Sequence, residues 1–379
     1  MKAFVNIARV IVGCLFIFSG LVKAIDPKGL SYKMQEFFEV WARDGFLPKL
    51  MNSFNEHALS FSVIMITLEV LLGVALLLGW YKKIAIWLLL LLTLFFTFLT
   101  AFVLFTGKIK ACGCFGDCIP LTPTQTFTKD IILLVLVLIL LFANQYIKPL
   151  FKPIFCIAIL VLTIGGTLFL QTYVQHHLPL KDCLPYKVGN NILELRKMPK
   201  DAVPDKYDYS FTYQKDGVKK EFTTASLPDS TWQFVDRKQV LVEKGKNNIP
   251  LINDFSFTTE SGNDTTEAIL SQQGEYYLLF VKDFDAISSK WREDKRFISE
   301  QHFITKKPIY VITTDFTAAN KRYNYQWNSQ LEAKIYTNIF ICDATAIKTA
   351  SRSNPTLYLM NGPIVKQKWG SGDIHSVLK

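Results

Sequence analysis

Charge is scarce in this chain of 379 residues: only 20% are Asp, Glu, Lys or Arg, against about 25% in an ordinary soluble domain. The shortage is uneven. Residues 1–180 consist largely of long apolar runs, whereas residues 181–379 are polar and ordinary. That split excludes a purely soluble enzyme, a disordered chain and a collagen-like chain, and leaves a membrane half joined to a water-soluble half. Cysteine is also sparse. Seven residues are too few for a small disulfide scaffold. The net charge of +10 comes without a basic stripe interleaved with aromatics, so no nucleic-acid partner is expected; a basic excess suits an anionic lipid surface better.

Apolar runs cover 4–22, 61–80, 84–105, 131–146 and 154–170. Crossing a hydrocarbon core takes about 20 helical residues, and in lipid the backbone must satisfy its own hydrogen bonds, so five helices are expected. The first run is read as a span rather than a cleaved signal, because charged residues and no small-x-small site follow it. The inner links are short and basic with the N-terminus inside, although the raw Lys/Arg count favours the reverse. Five spans then put the C-terminal half outside. Residues 26–60 intersperse Phe37, Phe38, Val40 and Trp41 with charges, as a helix capping the bundle would.

The chemistry is concentrated at 111–120, ACGCFGDCIP. Cys112, Cys114 and Cys118 lie close enough to exchange a disulfide, and Gly113 and Gly116 allow tight turns. Lys108 and Lys110 favour thiolate. The loop lies at the membrane surface, within reach of a quinone dissolved in the bilayer. A static disulfide competes with this exchange reading. So does a soft-metal site, but that lacks a histidine in the loop, and no metal is expected. Glu69 lies within an apolar run, where a carboxylate is costly and is by default a functional candidate; hydrogen bonding to a neighbouring helix is the plainer role. Asp130 is expected to cap the fourth helix, and Cys14 and Cys156 to pack within spans.

Two stretches, FIFSGLVKAIDPKGLSYKMQEFF (16–38) and ACGCFGDCIPLTPTQTFTKDIILL (111–134), resemble the DoxX/MauE group of small bacterial membrane proteins. The resemblance covers about residues 1–145. It implies a four-helix bundle doing redox work towards the periplasm, since MauE is implicated in maturing the disulfide-rich subunit of methylamine dehydrogenase beside a thioredoxin-like partner, and DoxX relatives are linked to quinone-coupled oxidation. Methylamine metabolism itself does not follow.

In the polar half, short alternating runs over 207–242, with Asp216-Gly217 as a turn signal, predict a β-rich section. From Tyr276 the order becomes strand (276–282), helix (286–302), strand (308–314), helix (317–330), strand (339–342), short helix (343–351), then a hairpin turning at Asn361-Gly362 and a last helix (373–378). This segment, most clearly SNPTLYLMNGPIVKQKWGS, resembles thioredoxin-like domains. The resemblance implies a cis bond at Pro355 and a partner-facing groove at Asn354, Pro355 and Thr356. DFDAISSKW stands where that family carries its C-x-x-C, so ordinary thioredoxin exchange is excluded there. Cys183, just past the fifth span, is the nearest partner for the odd cysteine of the loop, as a Cys118–Cys183 or Cys114–Cys183 mixed disulfide. Cys342 reads as a buried small hydrophobe.

The expected organisation is therefore a multi-domain membrane protein: a DoxX/MauE-like bundle over 1–148, a fifth span over 149–178, a β-rich segment over 179–264 and an α/β thioredoxin-like domain over 265–379. The expected function is thiol–disulfide exchange or quinone-linked electron transfer in the bacterial inner membrane. Cys112, Cys114 and Cys118 are its redox candidates, Cys183 and Glu69 are secondary candidates, and a periplasmic client or redox partner receives it. No resident cofactor is required beyond a membrane quinone. The alternatives are a non-enzymatic membrane-anchored assembly or binding protein with a structural disulfide, and a periplasmic metal chaperone.

Overall fold

The computed structural model describes residues 2–109, 116–243, 245–287, 307–323 and 338–378. Among these, five helices are long and apolar enough to cross a membrane: α1 (Lys2–Ala24), α4 (Ala58–Leu78), α5 (Lys82–Thr106), α6 (Pro123–Phe142) and α7 (Pro153–His177). Two shorter helices, α2 (Pro27–Arg43) and α3 (Pro48–Glu56), fill the first long connection. The chain order puts that connection, the loop before α6 and everything after α7 at one end of the bundle.

Small residues set the tightest helix contact. A Cβ on Gly73 of α4 would fall 2.9 Å from the carbonyl oxygen of Gly13 in α1, so the two backbones touch, as is common where no hydrophobic force drives association in lipid. At the far end Arg9 reaches out of α1 to the carbonyls that finish α4. Its Nε donates to Leu76 O at 2.8 Å and its guanidinium also donates to Leu77 O. A buried arginine is tolerable there because it satisfies the terminal carbonyls that a helix leaves unpaired.

Helix α2 starts at Asp26, whose carboxylate accepts from Gly29 N at 3.1 Å, with Pro27 in the first turn. Its apolar face, including Met34, Phe37 and Phe38, is buried, and Phe37 and Trp41 stack against Phe102 and Phe98 of α5. It therefore caps the bundle, as its pattern predicts.

Helix α6 differs from expectation. It begins at Pro123, not near Ile131, and Asp130 does not cap it. Thr122 is the N-cap, in a reciprocal capping box with Gln125, so TPTQTFTKD supplies two further turns and the span reaches full length. Helix α7 likewise runs past Leu170 to His177, its polar end held where Gln171 Nε2 donates to Thr67 Oγ1 of α4 at 2.9 Å.

Beyond α7 the chain forms an α/β region with two sheets. After a short turn of helix, α8 (Ile192–Leu195), the first sheet is antiparallel in the order β2-β1-β3, from β1 (Lys206–Lys215), β2 (Val218–Thr223) and β3 (Gln233–Glu243). Asp216 and Gly217 both have positive φ, the signature of a tight hairpin turn. The last part of the alternating stretch is one continuous strand, β3.

The second sheet has the order β6-β5-β4-β7-β8. It contains β4 (Glu275–Val281), β5 (Ile309–Thr313), β6 (Asn338–Ile341), β7 (Thr356–Asn361) and β8 (Ile364–Gly370), with helices α9 (Thr266–Leu270), α10 (Phe316–Tyr323) and α11 (Ala344–Ala350) among them. Strands β4, β5 and β6 are parallel, and β7 and β8 are antiparallel to their neighbours. The continuous apolar run of β4 follows from burial on both faces. Tyr276, Leu278 and Phe280 enter one core with Phe255, Phe257 and Ile347, and Tyr277, Leu279 and Val281 enter the other with Ala319 and Ile374. The Asn354–Pro355 bond is cis. The expected helix over 286–302 lies almost wholly outside the described residues, as does the later part of that over 317–330; the final helix is a short 3₁₀ turn, Ile374–Leu378.

Candidate functional site

Cys118 and Cys183 form a disulfide, with Cα atoms 4.9 Å apart. It ties the loop before α6 to the segment after α7. Cys112 and Cys114 lie outside the described residues. Gly116 has a φ of +61°, which turns the loop immediately before Asp117-Cys118.

Each half-cystine follows an aspartate, and each aspartate is held by a cation of the α/β region. Asp117 accepts from Arg352 Nη2 at 2.8 Å. Asp182 accepts from Lys368 Nζ on β8 at 2.6 Å. Arg352 is 6% exposed. Its Nε donates to Asp26 at 2.8 Å and its Nη1 to Lys348 O at 2.7 Å. One planar fork thus joins the N-cap of α2, the cysteine loop and the end of α11, a geometry that lysine cannot reproduce. The Tyr32 ring of α2 lies under Arg352, 5.2 Å from its guanidinium carbon.

Lys282, at the end of β4, donates to Tyr32 Oη at 3.0 Å and to Ser351 O at 2.7 Å. Burial pushes its ammonium well below the ordinary lysine range, with Lys28 and Arg352 adding to the effect. Burial likewise lowers Lys28 to about 8, Asp26 opposing and Arg352 assisting, and raises the Tyr32 phenol to about 12. The contact between bundle and α/β region is therefore polar and tightly desolvated.

The second seam joins α7 to β8. His177 Nδ1 lies 2.7 Å from Asp373 Oδ1, and a Cβ on Gly370 would fall 2.4 Å from His176 O, so only glycine permits this approach. Of the partner-groove candidates, Pro355 and Thr356 are buried and Asn354 is half-buried. Asn354 accepts from Lys282 N at 3.0 Å and donates to Asp283 O at 2.7 Å.

Inside the bundle Glu69 meets Lys23 of α1. Nζ lies 2.7 and 3.0 Å from the two carboxylate oxygens, the side chains are 2% and 4% exposed, and Nζ is 4.4 Å from the centre of the Phe96 ring. Asp130 is buried beside them, accepting from Thr100 at 3.1 Å and paired with Lys129 at 2.7 Å. These four charges surround a small chamber of about 20 Å³, also lined by Thr93, room for about one water.

The other described cysteines are not part of the disulfide. Cys156 and Cys342 are buried and Cys14 is exposed on the bundle surface, all three unbridged. Burial raises the Cys342 thiol to about 12, which leaves it protonated and inert.

Sequence reasoning missed Arg352, Asp117, Asp182 and Lys368. The one local signal was the Asp-Cys pair occurring twice, in GDC and KDC.

Residues 1–143 match the family model described as methylamine utilisation protein MauE, and residues 207–244, the three-stranded sheet, match a domain of unknown function (DUF8463). No curated protein and no solved structure matches the chain. The membrane region is thus MauE-like, and this chain is a multi-pass membrane protein in which that region is joined to further α/β structure.

Proposed function

We propose that the protein is a bacterial inner-membrane thiol–disulfide oxidoreductase that oxidises cysteines of an exported partner on the periplasmic side. The observation that carries this reading is the Cys118–Cys183 bridge, which joins the cysteine-rich loop to the polar region at the membrane surface. A client dithiol attacks the bridge, leaves as a disulfide and reduces Cys118 and Cys183 to thiols. A membrane quinone then takes their two electrons and two protons and becomes quinol. Cys112 and Cys114 would relay the exchange within the loop.

The C-terminal region is read as a thioredoxin-like domain without a dithiol. The parallel β4–β5 pair and the antiparallel β7–β8 hairpin support that reading. Its role would be to recognise the client beside Asn354, Pro355 and Thr356 rather than to exchange electrons. Maturation of an exported protein also agrees with the likeness of residues 1–143 to a methylamine utilisation protein.

A second reading, an assembly protein with a static disulfide, is favoured by the Asp117–Arg352 and Asp182–Lys368 pairs that brace the bridge on both sides. Alkylation trapping in native membranes separates the two. In the exchange reading, reduced and oxidised Cys118 and Cys183 interconvert with added reductant and oxidant, and Cys118→Ser stops client oxidation. A bridge that never responds leaves the assembly reading.

A further inference from the structure

We infer that the three-stranded sheet docks an extended acidic segment of a partner polypeptide, which adds as a further strand to the outer edge of β3. The inference rests on the reading above only in taking the partner to be an exported protein; the binding itself involves no thiol. Strand β3 is an edge of its sheet, and all eleven of its residues are exposed. Phe234, Val240 and Val242 are 57, 57 and 61% exposed. The edges of the second sheet are closed by the chain itself. Thr258 exchanges both backbone hydrogen bonds with Ile341 of β6, and Val365 of β8 accepts from Gly189 N and donates to Asn190 O. Among the described residues no such segment lies along β3. An open apolar edge offers a row of main-chain N–H and C=O groups to a further strand, which selects a polypeptide over a glycan or a lipid.

The charge on one face selects acidity. Tyr213 packs against Phe222 and Phe234 on that face. Arg237, opposite Phe211, lies over the Tyr209 ring at 5.5 Å, and Lys220, opposite Tyr213, lies over the Phe222 ring at 5.6 Å. Both cations are exposed and held flat on aromatic rings. The carboxylates of the three strands, Asp208, Glu221, Asp236 and Glu243, fall by register on the opposite face, where Lys238 pairs with Glu221 and Lys206 with Glu243. The aromatic face is therefore cationic without compensation, and it complements acidic side chains of an added strand. A second copy docking through the same face would set these cations against their own kind. The point of attachment favours a partner in solution over the bilayer. Lys282, after β4, meets Tyr32 of the bundle, whereas Ile192, on the way to β1, donates to Pro363 O at the opposite end of that sheet. The seven residues of β4 separate those ends by about 23 Å.

The test uses the full chain in phosphatidylcholine nanodiscs, with fluorescein-labelled peptides alternating Glu and Val, or Lys and Val, as probes read by fluorescence polarisation. The Glu peptide should bind saturably. The Lys peptide, and a Glu peptide N-methylated at every second residue so that it cannot add to a strand, should each bind about tenfold more weakly or worse. Arg237→Glu and Lys220→Glu, both at exposed positions, should weaken binding of the Glu peptide by a similar factor while the Cys118–Cys183 bridge stays formed. Absence of saturable binding, equal affinity for the Glu and Lys peptides, equal affinity for the N-methylated peptide, or unchanged affinity in both variants overturns the proposal. Displacement of the Glu peptide by phosphatidylglycerol vesicles overturns it in favour of a lipid surface. A dimeric chain whose β3 amides are protected from hydrogen exchange without peptide overturns it in favour of a second copy. Binding is read without thiol chemistry, so peptide binding beside an unresponsive disulfide would refute the exchange reading and leave this one standing.

Discussion

Arg352 and Asp117 are 235 positions apart in sequence and meet at 2.8 Å, which places the α/β region directly against the residue preceding Cys118. The same guanidinium holds Asp26, so the position of the disulfide is set jointly by the bundle and the polar region.

Replacing Arg352 with Met leaves Asp26 and Asp117 without their cation. Removing one partner of a buried pair costs about 3–5 kcal/mol. Both aspartates keep some solvent here, so the expected cost falls below that range, at about 2–3 kcal/mol. The thermal midpoint of the purified full chain should fall and dithiothreitol should reduce the Cys118–Cys183 bridge several-fold faster. Arg352→Lys should recover only part of the loss, because one ammonium cannot reach all three acceptors. Unchanged reduction rates in both variants would show that the clamp does not shield the bridge.

The Lys23–Glu69 pair predicts non-additivity. Glu69→Gln alone and Lys23→Met alone each leave one charge buried without its counterpart, and each should reduce yield and thermal stability sharply. The double variant should regain part of the loss, since it leaves no unpaired buried charge. Size-exclusion recovery and melting of the three proteins decide it; an additive double variant would be the contrary result.

Gly73→Ala should separate α1 from α4. The added Cβ would meet Gly13 O at 2.9 Å and Ile17 N at 3.1 Å, and backbone cannot yield as a side-chain tip can. Overpacking of this kind costs about 1–3 kcal/mol, readable as a lower melting temperature in detergent.

Stability should rise with pH above about 8. Lys28 titrates at about 8 in the folded chain against 10.5 for an ordinary lysine, so between those values the unfolded chain binds more protons and folding gains as pH rises. Lys282 contributes in the same direction. Tyr32 reverses the trend above about 10, because its folded value of about 12 exceeds the ordinary 10.0. Burial opposes the Arg352 charge, but Asp26 and Asp117 hold its guanidinium above the ordinary arginine range, so it stays charged throughout. The melting midpoint should increase by roughly a few degrees from neutral pH to about pH 9.5, and Lys28→Met should flatten the rise.

What could be read from the residues depended on distance along the chain. The five spans follow from run length, and the β7–β8 hairpin from Asn361-Gly362. The start of α6 was misplaced because its first two turns are polar, although Thr122, Pro123 and Gln125 carry a capping signature. Lys23 looked like the charged flank of the first span and instead lies buried against Glu69, a pairing that appears only once α1 and α4 are packed. The bridge between Cys118 and Cys183 is one of the two mixed disulfides expected for the odd cysteine of the loop. The Arg352 clamp was not legible, since its partners Asp26, Asp117 and Tyr32 come from separate segments that only the tertiary fold assembles.

The 65-residue separation of Cys118 and Cys183 has a consequence for biogenesis. Helices α6 and α7 both lie between the two cysteines, so the sulfurs share a compartment only after both helices have been inserted in opposite senses. A nascent chain whose α7 failed to insert would keep Cys183 on the wrong side and could not close the bridge. In a pulse-labelled cell, the bridge is therefore a covalent timestamp of completed membrane insertion.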